Sequence, residues 1–215
     1  IVKVSKKIIV ITSIVTLLPM AAGILLWQQL PETVAIHFGA DNVENGWGSK
    51  AFAVFGIPIF CLILHWLCLI GTANDPRRVN INQKIFGIII WICPFCSLLC
   101  GGSIYVYALQ GGFNFHIGIS AQLFVGLLVL VLGNYLPKCR RNYTVGIKLP
   151  WTLQNEDNWN STHRMAGRVW IVCGILLVVL SFLKLEIEWV PIGIIAVMVL
   201  APVAYSFLYY KKHGN

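Results

Sequence analysis

Residues 142–168, NYTVGIKLPWTLQNEDNWNSTHRMAGR, form the longest polar stretch of the chain and lie between apolar runs. Connectors between membrane spans are usually short and rich in glycine, serine or proline, so this stretch indicates a structured element. Pro150 disfavours helix at Leu149 and favours a turn there. A new helix is then expected to start at Thr152 or at Asn155, because either side chain can cap it.

The second half of the stretch has the spacing of an amphipathic helix, because residues three and four apart share one helix face. One face carries Trp159, Thr162, His163, Ala166 and Trp170. The other face carries Ser161, Arg164 and Arg168. The pattern predicts an amphipathic helix that lies at a membrane surface and continues directly into the next span.

The composition indicates an integral membrane protein. Of its 215 residues, 58% are hydrophobic and only 11% are charged, whereas about 25% are charged in a soluble domain. Six apolar runs reach the length of about 20 residues that a membrane-spanning helix needs. These runs lie at 8–27, 51–71, 85–109, 117–136, 169–185 and 189–209. We therefore predict an all-α membrane protein with six transmembrane helices and one amphipathic cytoplasmic helix between spans 4 and 5.

The distribution of basic residues predicts the orientation in the membrane. Of the 16 Lys and Arg residues, all but Lys50 and Lys184 fall on the side that holds the N-terminus. The positive-inside rule then places both termini and the segment 137–168 in the cytoplasm, and the loop 28–50 outside. The expected divisions are a four-span half at 1–136, the segment 137–168, and a two-span C-terminal hairpin at 169–215.

The first external loop, 28–50, has a pattern of its own. Residues Pro31–Phe38 predict a short extended piece that follows the proline. Residues Asp41–Gly48 predict turns, with Asn42 and Gly46 in left-handed conformations. The loop is therefore expected to be ordered and to present aromatic side chains.

Two groups of residues carry a family resemblance. In the polar stretch they are Asn142, Gly146-Ile147-Lys148, Pro150-Trp151-Thr152-Leu153, Trp159, Thr162-His163-Arg164 and Gly167. This series resembles the signature of SdpI-type membrane proteins, approximately N-x-x-x-G-I-R-x-P-W-T-L, then W-x-x-T-H-R and a glycine. Lys148 stands where that signature has arginine, and Leu149 stands where it has a small polar residue. We call residues 137–168 the signature segment.

The external loop resembles a small module of unknown function that often begins SdpI-type proteins. Its pattern is approximately P-x-x-[IV]-x-x-H-[FW]-N-x-x-G, followed by G-[WY]-G-[ST]-K. Here Gly39 replaces the usual asparagine and Asn42 replaces the usual glycine. Asparagine tolerates a positive φ better than most residues, so the turn is expected to survive the exchange.

The best-known members of this family are bacterial immunity proteins against a secreted toxic peptide. The resemblance implies a receptor and immunity protein in a Gram-positive plasma membrane, with three partners: a secreted SdpC-like peptide, a cytoplasmic ArsR-type repressor and membrane lipids. The external residues implied to meet the toxin are His37, Phe38, Gly46, Trp47 and Lys50. The residues implied to report that event are Asn142, Gly146, Lys148, Pro150, Trp151, Thr152, Trp159, His163, Arg164 and Gly167.

Two other functions stay open at this stage. A small transporter of a peptide or lipid would use His65, the ionisable residue well inside a predicted span, together with proline-broken helices. A neutral His65 can equally bond a neighbouring helix. A membrane-embedded enzyme would use His37 or His163, but the sequence lacks the nucleophile, phosphate-loop and zinc-protease motifs. We therefore expect a protein that is not an enzyme.

No cofactor, metal or nucleic acid is expected. Basic residues cluster at span ends and do not form the aromatic-interleaved stripe of a nucleic-acid binder. His37 with Asp41 and Glu44 is a conceivable external zinc site, although a loop histidine that bonds the backbone explains the same residue. Cys93 and Cys96 have redox spacing, but no thioredoxin-like context surrounds them, which favours a packing role.

Overall fold

The computed structural model describes residues 5–39, 43–109, 117–183 and 189–213. The helices are α1 (Lys6–Leu25), α2 (Ile57–Ala73), α3 (Gln83–Leu109), α4 (Ile117–Tyr135), α5 (Pro150–Gln154), α6 (Glu156–Leu183) and α7 (Trp189–His213). A π-helical turn at Phe52–Gly56 precedes α2. With it, the described residues contain six helical stretches long and apolar enough to cross a membrane, in agreement with the six predicted spans.

The fifth spanning helix, α6, begins earlier than the apolar run suggested. It is one helix of 28 residues from Glu156 to Leu183, whereas the predicted span was 169–185. The polar residues before Arg168 therefore form its first turns, and no break separates them from the span. Their position along a membrane surface stays a prediction. The tight turn expected before α7 lies at 184–188, outside the described residues.

One compact unit contains Lys3–Ala73 and Phe86–Gly118, and in it α3 is fastened to α1. The Ser97 hydroxyl donates to the Thr16 carbonyl at 2.7 Å, and the Tyr105 hydroxyl donates to the Pro19 carbonyl at 3.0 Å. These polar contacts fix the register of two otherwise apolar helices.

The loop 28–50 of this unit, which we predicted to be external, folds as a β-hairpin of β1 (Thr33–Phe38) and β2 (Glu44–Ser49). The extended piece predicted after Pro31 is confirmed. The prediction of turns through Gly48 is wrong, because 44–49 pairs antiparallel with β1. The hairpin is anchored by Val34, which is buried in a cluster with Val54, Ile104 and Tyr105.

The second unit contains Asn74–Ile85 and Ile119–Asn215. In it α4 and α6 approach closely at glycines. A Cβ on Gly167 would lie 2.7 Å from the Gly133 carbonyl oxygen, and one on Gly174 would lie 3.0 Å from the Gly126 carbonyl oxygen. Small residues allow such contact between membrane helices. The other neighbour of α6 is α7, and the indole N–H of Trp170 donates to the Met198 carbonyl at 3.0 Å.

Candidate functional site

The signature segment opens with a turn that Asn142 builds. The Asn142 side chain is buried, and its Oδ1 accepts hydrogen bonds from the N–H groups of Thr144 at 2.9 Å and Val145 at 2.7 Å. Its Nδ2 donates to the Arg140 carbonyl at 2.8 Å. An asparagine that bonds the backbone two residues on forms an Asx turn, which explains why this position requires a short amide side chain.

Gly146 lets the chain pass directly over α6. Its φ of +120° lies in a region that glycine adopts readily and other residues rarely adopt. A Cβ at this position would collide with Nε2 of His163 and would lie 2.9 Å from the Trp159 ring. The next residue, Ile147, donates its N–H to the same His163 Nε2 at 2.9 Å. Both the backbone conformation and the space therefore require glycine.

His163 and Trp159 form the centre of the segment. Because His163 Nε2 accepts from Ile147, the ring proton lies on Nδ1, which donates to the Trp159 carbonyl at 2.7 Å. The two rings stack with centroids 4.0 Å apart, and the Trp159 indole N–H donates to the Cys139 carbonyl at 2.8 Å. Both side chains are 0% exposed. This satisfied polar cluster joins the start of the segment to its helix.

Thr152 closes the turn that leads into α5. Its hydroxyl donates to the Ile147 carbonyl at 2.8 Å and accepts from the Leu149 N–H at 2.9 Å. Pro150 is the first residue of α5, where its missing N–H costs nothing. Leu149 is extended, so the prediction that it is not helical is confirmed. The helix expected to start at Thr152 begins at Pro150 instead, with Thr152 inside it, whereas Asn155 is confirmed as the cap of α6.

Two signature-segment side chains bond α7 at Ser206, a residue that the sequence patterns did not single out. The Trp151 indole N–H donates to the Ser206 hydroxyl at 2.9 Å, and Asn158 Nδ2 donates to the Ser206 carbonyl at 3.0 Å. Asn158 Oδ1 accepts from the Thr162 hydroxyl at 2.9 Å, and Asn155 caps α6 through the Asn158 N–H at 2.9 Å. A lone serine in an apolar run was the available signal for Ser206.

The remaining signature residues divide by exposure. Gly167 is buried where α6 meets α4, whereas the side chains of Lys148, Arg164 and Arg168 are exposed. Lys148 donates to the Thr144 carbonyl at 3.1 Å. On α6, Trp159, Thr162, His163 and Ala166 are buried while Arg164 and Arg168 are exposed, and Ser161 and Trp170 are half-buried. The amphipathic helix at a membrane surface stays a prediction.

Asp75 is a second member of the site that the sequence patterns missed. It is 4% exposed, and its carboxylate accepts from the Tyr143 N–H at 2.9 Å, the Thr144 hydroxyl at 2.6 Å and the Arg77 N–H at 2.7 Å. Burial raises the pKa of Asp75, but these hydrogen bonds together outweigh it and hold the pKa below its ordinary value. The sequence signal that could have identified Asp75 is that it is the one acidic residue in the connector 74–85, whose other charged residues are basic.

Two motif residues of the β-hairpin, His37 and Trp47, are exposed. Trp47 is 58% exposed. His37 is exposed, and its Nδ1 pairs with the Asn45 side-chain oxygen. Phe38 packs edge-on against Tyr107, with ring centroids 4.7 Å apart. His37 and Trp47 are therefore available to a ligand, whereas Phe38 also holds the hairpin to α3.

Gly46 does not have the left-handed conformation that we predicted. It is a strand residue paired with His37, and its φ is not positive. A Cβ there would lie 2.9 Å from the His37 Cβ, so the requirement for glycine is steric. Asn42, for which we made the same prediction, lies outside the described residues.

Lys50 is a buried charge that holds the hairpin to the end of α1. It is 6% exposed, and its ammonium donates to the Glu32 carboxylate at 2.8 Å and the Trp27 carbonyl at 3.2 Å. It also lies 4.6 Å from the Trp27 ring centroid. Because these partners satisfy the ammonium group, Lys50 contributes to the fold of the loop.

The other candidate residues have local partners. His65 is buried and pairs through Nε2 with the Thr12 hydroxyl at 2.9 Å, which links α2 to α1. Cys93 and Cys96 are free thiols. Within the described part of the chain, no three His, Cys, Asp or Glu residues form a group that could hold a metal ion. Asp41, a member of the conceivable zinc site, lies outside that part.

Comparisons with known proteins agree with both sequence motifs. The SdpI/YfhL protein family matches residues 138–209, and a domain of unknown function, DUF1648, matches residues 14–62. The chain is 27% identical over 208 residues to a protein named Immunity protein SdpI from Bacillus subtilis (strain 168), covering 94% of this chain and 96% of that protein. No solved structure matches significantly. The resemblance is therefore confirmed, and this multi-pass membrane protein carries an SdpI/YfhL family region at 138–209 behind a DUF1648 region at 14–62.

Proposed function

We propose that this protein is an immunity protein that protects a bacterial cell against a secreted antimicrobial peptide. The observation that carries the proposal is its similarity to Immunity protein SdpI, which extends over 94% of the chain. That similarity spans the external hairpin and the signature segment together, so the two regions are proposed to act within one function. The protein acts in the plasma membrane, and its toxin is of the SdpC-like class.

The β-hairpin is the proposed point of contact with the toxin. It combines an exposed indole at Trp47 with an exposed imidazole at His37, on strands held to the helices by buried Val34 and Lys50. Exposed aromatic side chains on a rigid support lose little conformational entropy when they bind a partner. An amphipathic peptide offers the apolar surface that such an indole would cover.

Expression in a toxin-sensitive host tests this function, with survival and membrane protein level measured together. The chain is expected to raise survival, and Trp47→Ala is expected to abolish protection while the protein level holds. Trp189→Ala is the matched control, because Trp189 is another exposed tryptophan, 75% exposed, on the side predicted to be external. Full protection by the Trp47→Ala protein would move toxin recognition elsewhere, and no protection by the parent chain would refute the immunity function.

The signature segment is proposed to signal the toxin-bound state to a cytoplasmic ArsR-type repressor. Its buried cluster holds Arg164 in place on the exposed face of α6, where a guanidinium can form forked hydrogen bonds that lysine cannot form. Arg164→Lys is expected to abolish induction of a reporter while protein level and survival stay normal. Arg140→Lys, at an exposed arginine of the same segment, is the control. Normal induction in the Arg164→Lys protein would show that the positive charge at this position is sufficient and that forked hydrogen bonds are not needed.

The proposed orientation has both termini and the signature segment in the cytoplasm. Cysteine labelling of intact cells tests it in a chain whose native cysteines are replaced. A cysteine at Asn160, an exposed residue of α6, is expected to react only with a membrane-permeant reagent. A cysteine at Trp47 is expected to react with an impermeant one. Impermeant labelling at position 160 would overturn the orientation and the signalling role.

A further inference from the structure

An open groove runs between α6 and α7, with an arginine at one end. Its volume is about 570 Å³, which lies in the range of ligand pockets, about 300–1,000 Å³. The groove is lined by Arg168, Val169, Val172, Cys173, Leu176, Val190, Gly193, Ile194 and Val197. Eight of these nine residues offer only apolar or thiol surface, so the groove fits a hydrocarbon ligand.

The groove is accessible from outside the protein. Val172 is 57% exposed on the α6 side and Val197 is 51% exposed on the α7 side, so no described residue covers them. Gly193 widens the groove, because a Cβ built there meets no atom within 4 Å. On helices that span a membrane, a groove of this kind faces acyl chains.

Arg168 gives the groove a chemical preference. Its side chain is exposed, and among the described residues it has no ion pair or hydrogen bond. Leu183, at the far end of α6, lies 15 residues away, a distance of about 22 Å along a helix. In a hydrocarbon layer of about 30 Å, the Cα of Arg168 then lies about 8 Å below one edge when Leu183 is at the other. A long arginine side chain can extend along the helix and place its guanidinium at the level of the lipid head groups. Arginine binds phosphate through paired hydrogen bonds.

We infer that this groove is a binding site for an anionic phospholipid, with one acyl chain along α6 and α7 and the head-group phosphate on Arg168. The charge of the guanidinium complements that of the head group, and the apolar lining complements the chain. One basic side chain near a membrane surface favours an anionic lipid about fivefold. The inference concerns lipid binding and does not depend on the proposed immunity function.

Native mass spectrometry of the full chain in neutral detergent tests the site. Phosphatidylglycerol and phosphatidylcholine with identical acyl chains are offered at equal concentration, and the retained lipids are counted. The parent chain is expected to retain phosphatidylglycerol about fivefold over phosphatidylcholine. Arg168→Gln is expected to lower that ratio to about one, whereas Gln at the neighbouring exposed Arg164 is expected to leave it unchanged.

A variant that fills the groove distinguishes binding of the lipid acyl chain from attraction of the head group by charge alone. Gly193→Leu is expected to abolish retention of both lipids, because its Cβ meets no protein atom within 4 Å and the larger side chain then occupies the groove. Gly87→Leu is the matched control, since a Cβ there also meets nothing within 4 Å on a different spanning helix, α3. Should Gly193→Leu fail to fold by circular dichroism, Val172→Phe fills the groove from α6.

Several results would overturn the inference. Equal retention of the two lipids by the parent chain would remove the preference for an anionic head group. An unchanged ratio in the Arg168→Gln protein would remove the role of Arg168. Displacement of phosphatidylglycerol by glycerol phosphate would show an anion site that needs no acyl chain. Retention of detergent or a peptide with no lipid would assign the groove to another occupant.

Discussion

The signature segment and the β-hairpin each carry a motif tryptophan and a motif histidine, but these side chains lie in opposite environments. In the segment, Trp159 and His163 are 0% exposed and bond the backbone around them. In the hairpin, Trp47 is 58% exposed and His37 is exposed too. A recognisable motif is therefore no guide to exposure, because the same two residue types are buried in one region and exposed in the other.

The largest expected effect is that of Trp159→Ala. The substitution empties the centre of the segment and leaves the Cys139 carbonyl without its donor, so the free energy of unfolding is expected to fall by about 3–5 kcal/mol. Unfolding in mixed detergent micelles measures it. The control Trp189→Ala changes a tryptophan that is 75% exposed and is expected to cost less than about 0.5 kcal/mol. Equal losses of unfolding free energy in the two variants would contradict the conclusion that Trp159 stabilises the protein through its burial.

Gly146→Ala is the next test, because the backbone conformation and the ring contacts both oppose a Cβ there. We expect a loss of about 3 kcal/mol in the same unfolding assay. Gly71→Ala is the control, since a Cβ at Gly71 meets nothing within 4 Å and alanine favours helix by about 1 kcal/mol. A stable Gly146→Ala protein would show that the chain can cross α6 by another route.

Asp75 makes the segment sensitive to acid. Its folded-state pKa lies below the ordinary value, so its contribution to stability is present above the unfolded pKa of about 3.9. That contribution is lost as the pH falls through the folded pKa. Asp75→Asn is expected to cost about 2 kcal/mol at neutral pH and to flatten the stability curve at acidic pH, below the unfolded pKa. Parallel curves for the parent and the variant would exclude Asp75 as the titrating group.

Gly46→Ala is expected to have the smallest of the four effects, about 1 kcal/mol. The hairpin strands can separate slightly to relieve the 2.9 Å approach to the His37 Cβ, whereas the buried segment has no such freedom. The double variant Gly46→Ala with His37→Gly removes that Cβ and should recover part of the loss, which a double-mutant cycle measures. A cost as large as that of Gly146→Ala would mean that the hairpin is as rigid as the segment.

The parts of this fold that were predictable depend on local patterns. The six spans follow from apolar length, and the two faces of α6 follow from spacings of three and four residues. Asn155 was recognisable as a helix cap from the acidic residues that follow it. Each of these features is set by residues within a few turns of one another.

The parts that were not predictable depend on partners distant in the sequence. Asp75 bonds Tyr143, 68 residues away, and Ser206 bonds Asn158, 48 residues away. Strand β2, with the sequence ENGWGS, carries two glycines and has little strand propensity of its own. It forms because its backbone pairs with that of β1, and the sequence of β2 alone does not indicate this pairing.

The bonds to Ser206 also order events during synthesis. A chain that leaves the ribosome from its N-terminus exposes Trp151 and Asn158 well before residue 206 is made. During that interval the indole and the amide lack these partners, so the contacts that join the signature segment to α7 form only after residue 206 has been made.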